Sequence, residues 1–349
     1  MPDDRRPKTR PQLAPGDHTP QFACPDSTGK TFEFYSAVSG KPVVMIFTGE
    51  RPLKDLAAAG LDPRAVDTGT TQVITIVPGD AKAAEAQKTA AAWPHRVMGD
   101  PGAEVTRGFA QFSAVAAPAV YVLDPNQRVV AIAPANDVAG DFAAWVAAKV
   151  GEASFAQAPT LIQNVAPVLV VPRALEAEDC CWLIDLWRRG DKEDGRVAVG
   201  QSSGGGLAVV PTTKRREDFY IRDPEDRDRV TQRLMSRLVP EISKIYHFEG
   251  YALETFKVGC YKADQAGFFN VHRDDTSPAT KDRKFAITVN LNTGEYEGGD
   301  LRFPEYGPET YRPPRGGAIV FSCSMLHEVV PVTAGERFVL LTFLVAPGR

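Results

Sequence analysis

Two prolines, Pro159 and Pro167, break an apolar stretch between Phe155 and Val170, and the chain is patterned differently on either side of them. Upstream, from about 41 to 150, buried-strand runs alternate with helical ones. Val43 to Phe47 (VVMIF) and Gln72 to Val77 (QVITIV) are strand runs, while Ala81 to Trp93 is Ala-rich, helical and stopped by Pro94. Val120 to Leu123 and Val129 to Ile132 flank the turn Asp124-Pro125-Asn126-Gln127, and Asp141 to Val150 is an amphipathic helix. Downstream, two helical segments precede a block of strands. Interleaved strands and helices imply an α/β fold, whereas helices followed by strands imply a β-sandwich or barrel buttressed by helices. At 349 residues the chain is long for one core. The expected division is a flexible leader over 1–14, an α/β domain over 15–152, a linker over 153–170, and a second domain over 171–349.

In the second half, Leu175 to Arg189 is expected to be helical. Asp226 to Ile245 carries Val230, Leu234, Leu238, Ile242 and Ile245 on one face, with Pro240 placed to kink or split the helix. Gly200 to Gly206 (GQSSGGG) is too glycine-rich for regular structure and suits a mobile loop or a lid over substrate. Phe285 to Leu291, Gly317 to Phe321 and Arg337 to Leu344 are strands by composition.

Composition removes several function classes. A net charge of -4 gives no reason to expect nucleic-acid binding. No apolar run approaches the roughly 20 residues of a membrane span. The N-terminus lacks an apolar signal core, so a cytoplasmic location is expected. The five cysteines (Cys24, Cys180, Cys181, Cys260, Cys323) form no C-x-x-C, and the adjacent pair Cys180–Cys181 reads as buried. Lys214-Arg215-Arg216 reads as a solvated face or, alternatively, as a contact for an acidic substrate.

The chemistry-bearing pattern is His272-x-Asp274, followed by His327 and, ten residues on, by Arg337. On a strand, residues i and i+2 face one side, so His272 and Asp274 can reach one metal while Arg273 and Asp275 point away. Two imidazoles and a carboxylate occupy one face of an octahedral Fe(II) and leave positions for a co-substrate and O2. Arg337 opens a strand and shares a face with Val339, Leu341 and Phe343. A buried arginine there needs an anionic partner.

The segment from Tyr261 to Leu344 resembles the catalytic core of prolyl 4-hydroxylase-like 2-oxoglutarate/Fe(II) dioxygenases. The matching pieces are Tyr261, Gly267 to Asp274 (GFFNVHRD), Glu297 to Phe303 (EGGDLRF), and Leu326 to Val329 through Gly335 to Phe338. The resemblance implies a double-stranded β-helix (jelly roll). It implies His272, Asp274 and His327 as iron ligands, Arg337 as the anchor of the distal 2-oxoglutarate carboxylate, and Tyr261 as a second hydrogen-bond donor, with Thr288 a further candidate. It implies Fe(II) and 2-oxoglutarate, with ascorbate as a candidate accessory. The implied reaction is hydroxylation of an unactivated C–H, a peptidyl proline being the family's example, with release of succinate and CO2. The substrate is left open between a peptide and a small molecule, and homodimerisation is left open.

Residues 15 to 150 resemble the peroxiredoxin/redoxin branch of the thioredoxin fold, through Pro15 to Phe22 (PGDHTPQF), the strand Val43–Phe47, Asp100 to Val105 (DPGAEV), and Pro118 to Pro125 (PAVYVLDP). The segment Thr48 to Leu56, where a peroxidatic cysteine belongs, has none. Pro118 stands where a peroxiredoxin would carry its activating arginine, and resembles the cis-proline of other thioredoxin-like proteins. The resemblance therefore implies a degenerate redoxin. A thiol peroxidase using Cys24 and a non-catalytic binding module are the rival readings.

Overall fold

The computed structural model describes residues 12–346 apart from 39, 63, 65, 68, 155–160, 163, 196, 199–206, 209, 211 and 250. The chain separates into two compact units, Met1–Pro159 and Thr160–Arg349.

The first unit is built on a five-stranded mixed sheet with Val43–Phe47 at its centre. Gln72–Pro78 pairs parallel to that strand and Arg96–Asp100 parallel to Gln72–Pro78. Ala119–Leu123 and Val129–Pro134 complete the other side antiparallel. Every residue of Val43–Phe47 is buried because both faces are covered. Val44 and Ile46 pack with Leu53, Leu56, Phe142 and Val146, while Met45 and Phe47 pack with Phe34, Phe109 and Tyr121. This mixed sheet resembles that of the redoxin fold. The peptide between Ala117 and Pro118 is cis. The packed region begins earlier than expected: Leu13 is buried and its N–H donates to Phe112 O at 2.6 Å.

The second unit is an antiparallel β-sandwich of the double-stranded β-helix type. Among the described residues its larger sheet has nine strands: it runs through Leu169–Val171, Ala318–Ser322, Arg283–Asn290, Val332–Val345, Lys257–Lys262, Glu217–Tyr220 and Glu193–Asp194, and Ala252–Leu253 and Tyr296–Gly298 also pair with Val332–Val345. The smaller has five: Lys214–Arg215, Phe268–His272, His327–Val329, Leu301–Arg302 and Thr310–Tyr311. Alternation along the strands separates two cores. Val258, Ile287, Val289, Leu340 and Leu344 face the helices Ala177–Arg189, Pro224–Arg237 and Val239–Tyr246, meeting Leu183, Trp187, Leu234 and Ile242. Tyr261, Ala286, Phe321, Val339 and Phe343 turn inward toward Leu301, Phe303 and Val329.

Several expectations change at their edges. The helix around Pro240 is split at Leu238, and Ile245, expected on the apolar face, is 48% exposed, while Val230, Leu234, Leu238 and Ile242 are buried. Arg337 does not open a strand. It lies inside the 14-residue strand Val332–Val345, whose first residues pair with Tyr296–Gly298. Leu169–Val171 pairs with Ala318–Val320, and Ala166 N–H donates to the Tyr311 hydroxyl, so the end of the expected linker is part of the β-sandwich. Cys180 is buried, but Cys181 is exposed beside Arg315. The glycine-rich segment 200–206 lies outside the described residues. No helix among the described residues is long and apolar enough to cross a membrane.

Candidate metal centre and co-substrate cavity

His272 ends the strand Phe268–His272, and His327 begins the neighbouring strand, where the two are paired in register. Asp274 is not on the strand with His272. Its backbone N–H instead donates to Cys323 O at 2.9 Å, which turns the chain and brings the carboxylate back under the two rings. His272 Nε2 lies 3.5 Å from Asp274 Oδ1 and His327 Nε2 lies 3.4 Å from Asp274 Oδ2. One ligand atom from each of the three falls within 4.8 Å of the others. Arg273 turns away to pair with Glu305 at 2.6 Å, and Asp275 accepts from Ser324.

The far side of each ring is tied down. His272 Nδ1 is 2.7 Å from Asn270 O, and His327 Nδ1 is 3.0 Å from Met325 O. A backbone carbonyl accepts only from a protonated nitrogen, so both Nε2 lone pairs are presented toward Asp274. This is the tautomer a metal requires. Burial, offset in part by Asp274, lowers the His327 pKa and keeps the ring neutral. Burial alone would raise the Asp274 carboxyl; positive charge facing it, on a protonated His327 or His272 or on Arg283, lowers it well below the usual carboxylate range, so the carboxylate favours a cation between the three side chains. Two imidazoles held by their Nδ1 atoms and an ionised carboxylate suit Fe(II).

These residues open into a cavity of about 650 Å³ between the two sheets. Phe321, Leu301, Val339 and Phe343 supply apolar walls, and Arg337, Tyr261 and Thr288 also line it. Arg337 is 2% exposed. Its Nη2 donates to Asn290 Oδ1 at 3.0 Å, and its Nε has no hydrogen-bond partner among the described residues. A buried guanidinium with an unmet donor fits an incoming carboxylate. Tyr261 sits opposite Arg337 in register, and its hydroxyl accepts from Arg216 Nη1 at 3.1 Å, which leaves the phenolic hydrogen for another acceptor. Thr288 is buried on the adjacent strand.

Sequence reasoning missed Asn290, Lys257 and Arg283, and it misjudged Lys214 and Arg216. The last two are buried and line the cavity, not a solvated face. Asp218 makes this tolerable: Arg216 Nε and Nη2 contact its carboxylate at 2.5 and 2.8 Å, and Lys214 Nζ lies at 3.8 Å. The signal for Lys257 was present, since Lys257, Gly259 and Tyr261 alternate onto one face.

Cys24, the thiol of the rival reading, is buried on Ala23–Pro25, and burial together with the nearby Asp100 pushes its pKa up to about 11. At neutral pH roughly one such thiol in ten thousand would be ionised, which is the reverse of an activated nucleophile.

A triad of the kind that holds Fe(II), opening into a sandwich cavity with a buried arginine, is the arrangement an iron-dependent oxygenase requires. Residues 256–345 match the family model described as "2OG-Fe(II) oxygenase superfamily". A PKHD-type hydroxylase of Pseudomonas putida F1 is 25% identical over 183 residues, covering 49% of this chain and 75% of that protein. Among solved structures, the viral collagen prolyl hydroxylase of Paramecium bursaria Chlorella virus-1 is 20% identical, covering 52% of this chain and 96% of its own, with a TM-score of 0.39. The first unit is similar to the peroxidoxin BcpB of Mycobacterium tuberculosis, at 15% identity and a TM-score of 0.33, covering 41% of this chain and all of that one. The second unit thus carries a 2OG-Fe(II) oxygenase domain over residues 256–345, and Fe(II) and 2-oxoglutarate are the groups this family implies.

Proposed function

We propose that the chain is a hydroxylase in which His272, Asp274 and His327 bind Fe(II) and Arg337 anchors the distal carboxylate of 2-oxoglutarate. The convergence of the triad with the unmet Arg337 donor in one cavity carries this reading. Bound iron, 2-oxoglutarate and O2 supply an oxidant able to hydroxylate an unactivated C–H, with release of succinate and CO2. The chain's own residues do the remainder. Asn270 and Met325 carbonyls fix the imidazoles, Arg337 and the Tyr261 hydroxyl orient the co-substrate with Thr288 beside them, and the Phe321 and Phe343 walls keep water from the reacting centre. A peptidyl proline is the substrate suggested by the resemblance of Tyr261 to Leu344 to prolyl 4-hydroxylase-like enzymes. The high pKa and burial of Cys24 disfavour the peroxidase alternative.

The test is anaerobic addition of Fe(II) and then 2-oxoglutarate, watching for a visible metal-to-ligand charge-transfer band. The band is expected in the wild type and lost in His272→Ala and Arg337→Ala. A folded, metal-loaded wild-type chain without the band would remove the oxygenase reading and leave a binding module in its place.

A further inference from the structure

Resting on that reading, the structure assigns a second anion site in the same cavity: we propose that Lys257 binds a carboxylate or phosphate group of the substrate. Lys257 begins the strand Lys257–Lys262 and lines the cavity on the same face as Tyr261. Tyr261 stands opposite Arg337, whereas Lys257 stands opposite Leu341, four residues farther along the Val332–Val345 strand. At roughly 3.3 Å per residue that is about 13 Å along the sheet, too far for both cations to hold the same carboxylate. Lys257 belongs instead with Asp274 and Arg283, whose charges it feels.

The surrounding charges do not balance. Lys214, Arg216, Lys257 and Arg283 all line this part of the cavity. Asp218 is taken by Arg216, and Glu254 by Arg283, whose Nε and Nη2 donate to it at 2.7 and 2.5 Å. Asp274 is directed at the metal position. Lys257 makes no hydrogen bond or ion pair among the described residues, and its only close partner is the Phe343 ring, 5.8 Å from Nζ. Arg283 covers that same ring at 3.7 Å. Burial first, and then the Arg216 guanidinium, press the Lys257 pKa down to about 8, which shows how poorly its charge is compensated. An ammonium kept inside a cavity at such a disadvantage is satisfied when a ligand brings a negative group to it. The hydroxyls of Thr213 and Thr255 line the same cavity and can complete the contact.

The full chain, loaded with Mn(II) and saturating 2-oxoglutarate, is titrated by calorimetry with three probes: inorganic sulfate, N-acetylglutamate as a free acid, and an N-acetylated, C-amidated Gly-Gly-Glu-Pro-Gly as a peptide side chain. The tighter of the last two names the source of the anion. Lys257→Met is expected to weaken the anions by about tenfold or more, as for loss of one charge-assisted bond, and Lys257→Arg to restore them. Affinity for 2-oxoglutarate should stay within about twofold in both variants. Equal anion binding by Lys257→Met, or no binding by the wild type, overturns the proposal. So does a matching loss of 2-oxoglutarate affinity, which would give Lys257 to the co-substrate. Failure of the oxygenase reading is seen separately, as absence of the charge-transfer band in the wild-type iron complex before any anion is added.

Discussion

Asn290 offers the sharpest test of how the co-substrate anchor is held. Its side-chain oxygen accepts from Arg337 Nη2 at 3.0 Å, while its amide nitrogen donates to the Tyr296 hydroxyl at 3.1 Å and to Thr293 Oγ1 at 3.2 Å. The residue is 1% exposed. Asn290→Ala removes one bond to a charged donor, worth about 1.5–3 kcal/mol, so 2-oxoglutarate should bind about 10- to 150-fold more weakly. Asn290→Asp is the more telling change. A carboxylate 3 Å from the guanidinium attracts it by about 5 kcal/mol at an effective dielectric near 20, and repels a second carboxylate about 5 Å away by about 3 kcal/mol. The aspartate variant should therefore bind 2-oxoglutarate worse than the alanine variant, by about a further hundredfold, while unfolding no more easily than it. Titration of the charge-transfer band gives the affinities and thermal melting gives the stabilities. Metal affinity should not move, because the three ligands lie on other segments. An aspartate variant that binds 2-oxoglutarate as well as the alanine variant would refute Arg337 as the anchor.

Three more outcomes follow from the geometry. Lys257 has a folded pKa near 8 against an ordinary value of 10.5, so between those pH values the unfolded chain binds more protons and the folded state gains stability as pH rises. Lys257→Met should accordingly stabilise the fold at pH 7, by on the order of 3 kcal/mol at most and seen as a higher Tm, and the advantage should fade toward pH 10.5; a constant or growing advantage would contradict this. Of the five cysteines only Cys181 is exposed, so a thiol reagent should modify about one per native chain and five after unfolding, with Cys181→Ser abolishing the native reaction. Leu340 is buried among Trp187, Leu234 and Phe338, and Leu340→Ala should destabilise the second unit by about 2–5 kcal/mol in denaturant titrations, with a smaller loss arguing that the site collapses around the gap.

The parts of the site that were legible in sequence are those whose residue types announce a chemistry. Histidine and aspartate at i and i+2, a second histidine and an arginine amid Val339, Leu341 and Phe343 need no tertiary knowledge to suggest a metal and an anion. The partners that tune them were not legible. Asn290 reaches Arg337 only because its strand aligns with Val339, 49 residues later in the chain, and no local pattern encodes that register. The basic run Lys214–Arg216 misled for the same reason. Its burial depends on Asp218, two residues past Arg216, on a strand that pairs with Lys257–Lys262 and turns the run inward. Even the H-x-D geometry was reached by a route the alternation rule did not foresee, through the bond from Asp274 N–H to Cys323 O.

The first unit shows the opposite separation, a fold that survives without its expected chemistry. Its central strand is held by side chains on both faces, Val44 and Ile46 on one and Val43, Met45 and Phe47 on the other, with Leu53 and Leu56 of the segment that follows packed against the first face. In the loop, Thr48 N–H donates to Ile76 O, Arg51 Nη1 donates to Asn136 Oδ1 at 2.9 Å, and Leu53 N–H donates to Gln87 Oε1 at 2.8 Å. The segment where a redoxin would hold its nucleophile is thus tied to the scaffold by hydrogen bonds that involve no thiol. The remaining cysteine of the unit, Cys24, is packed among apolar side chains and serves the core. Cys24 is the one sulfur nucleophile in the sequence of this unit, and its burial and raised pKa argue against sulfur chemistry there.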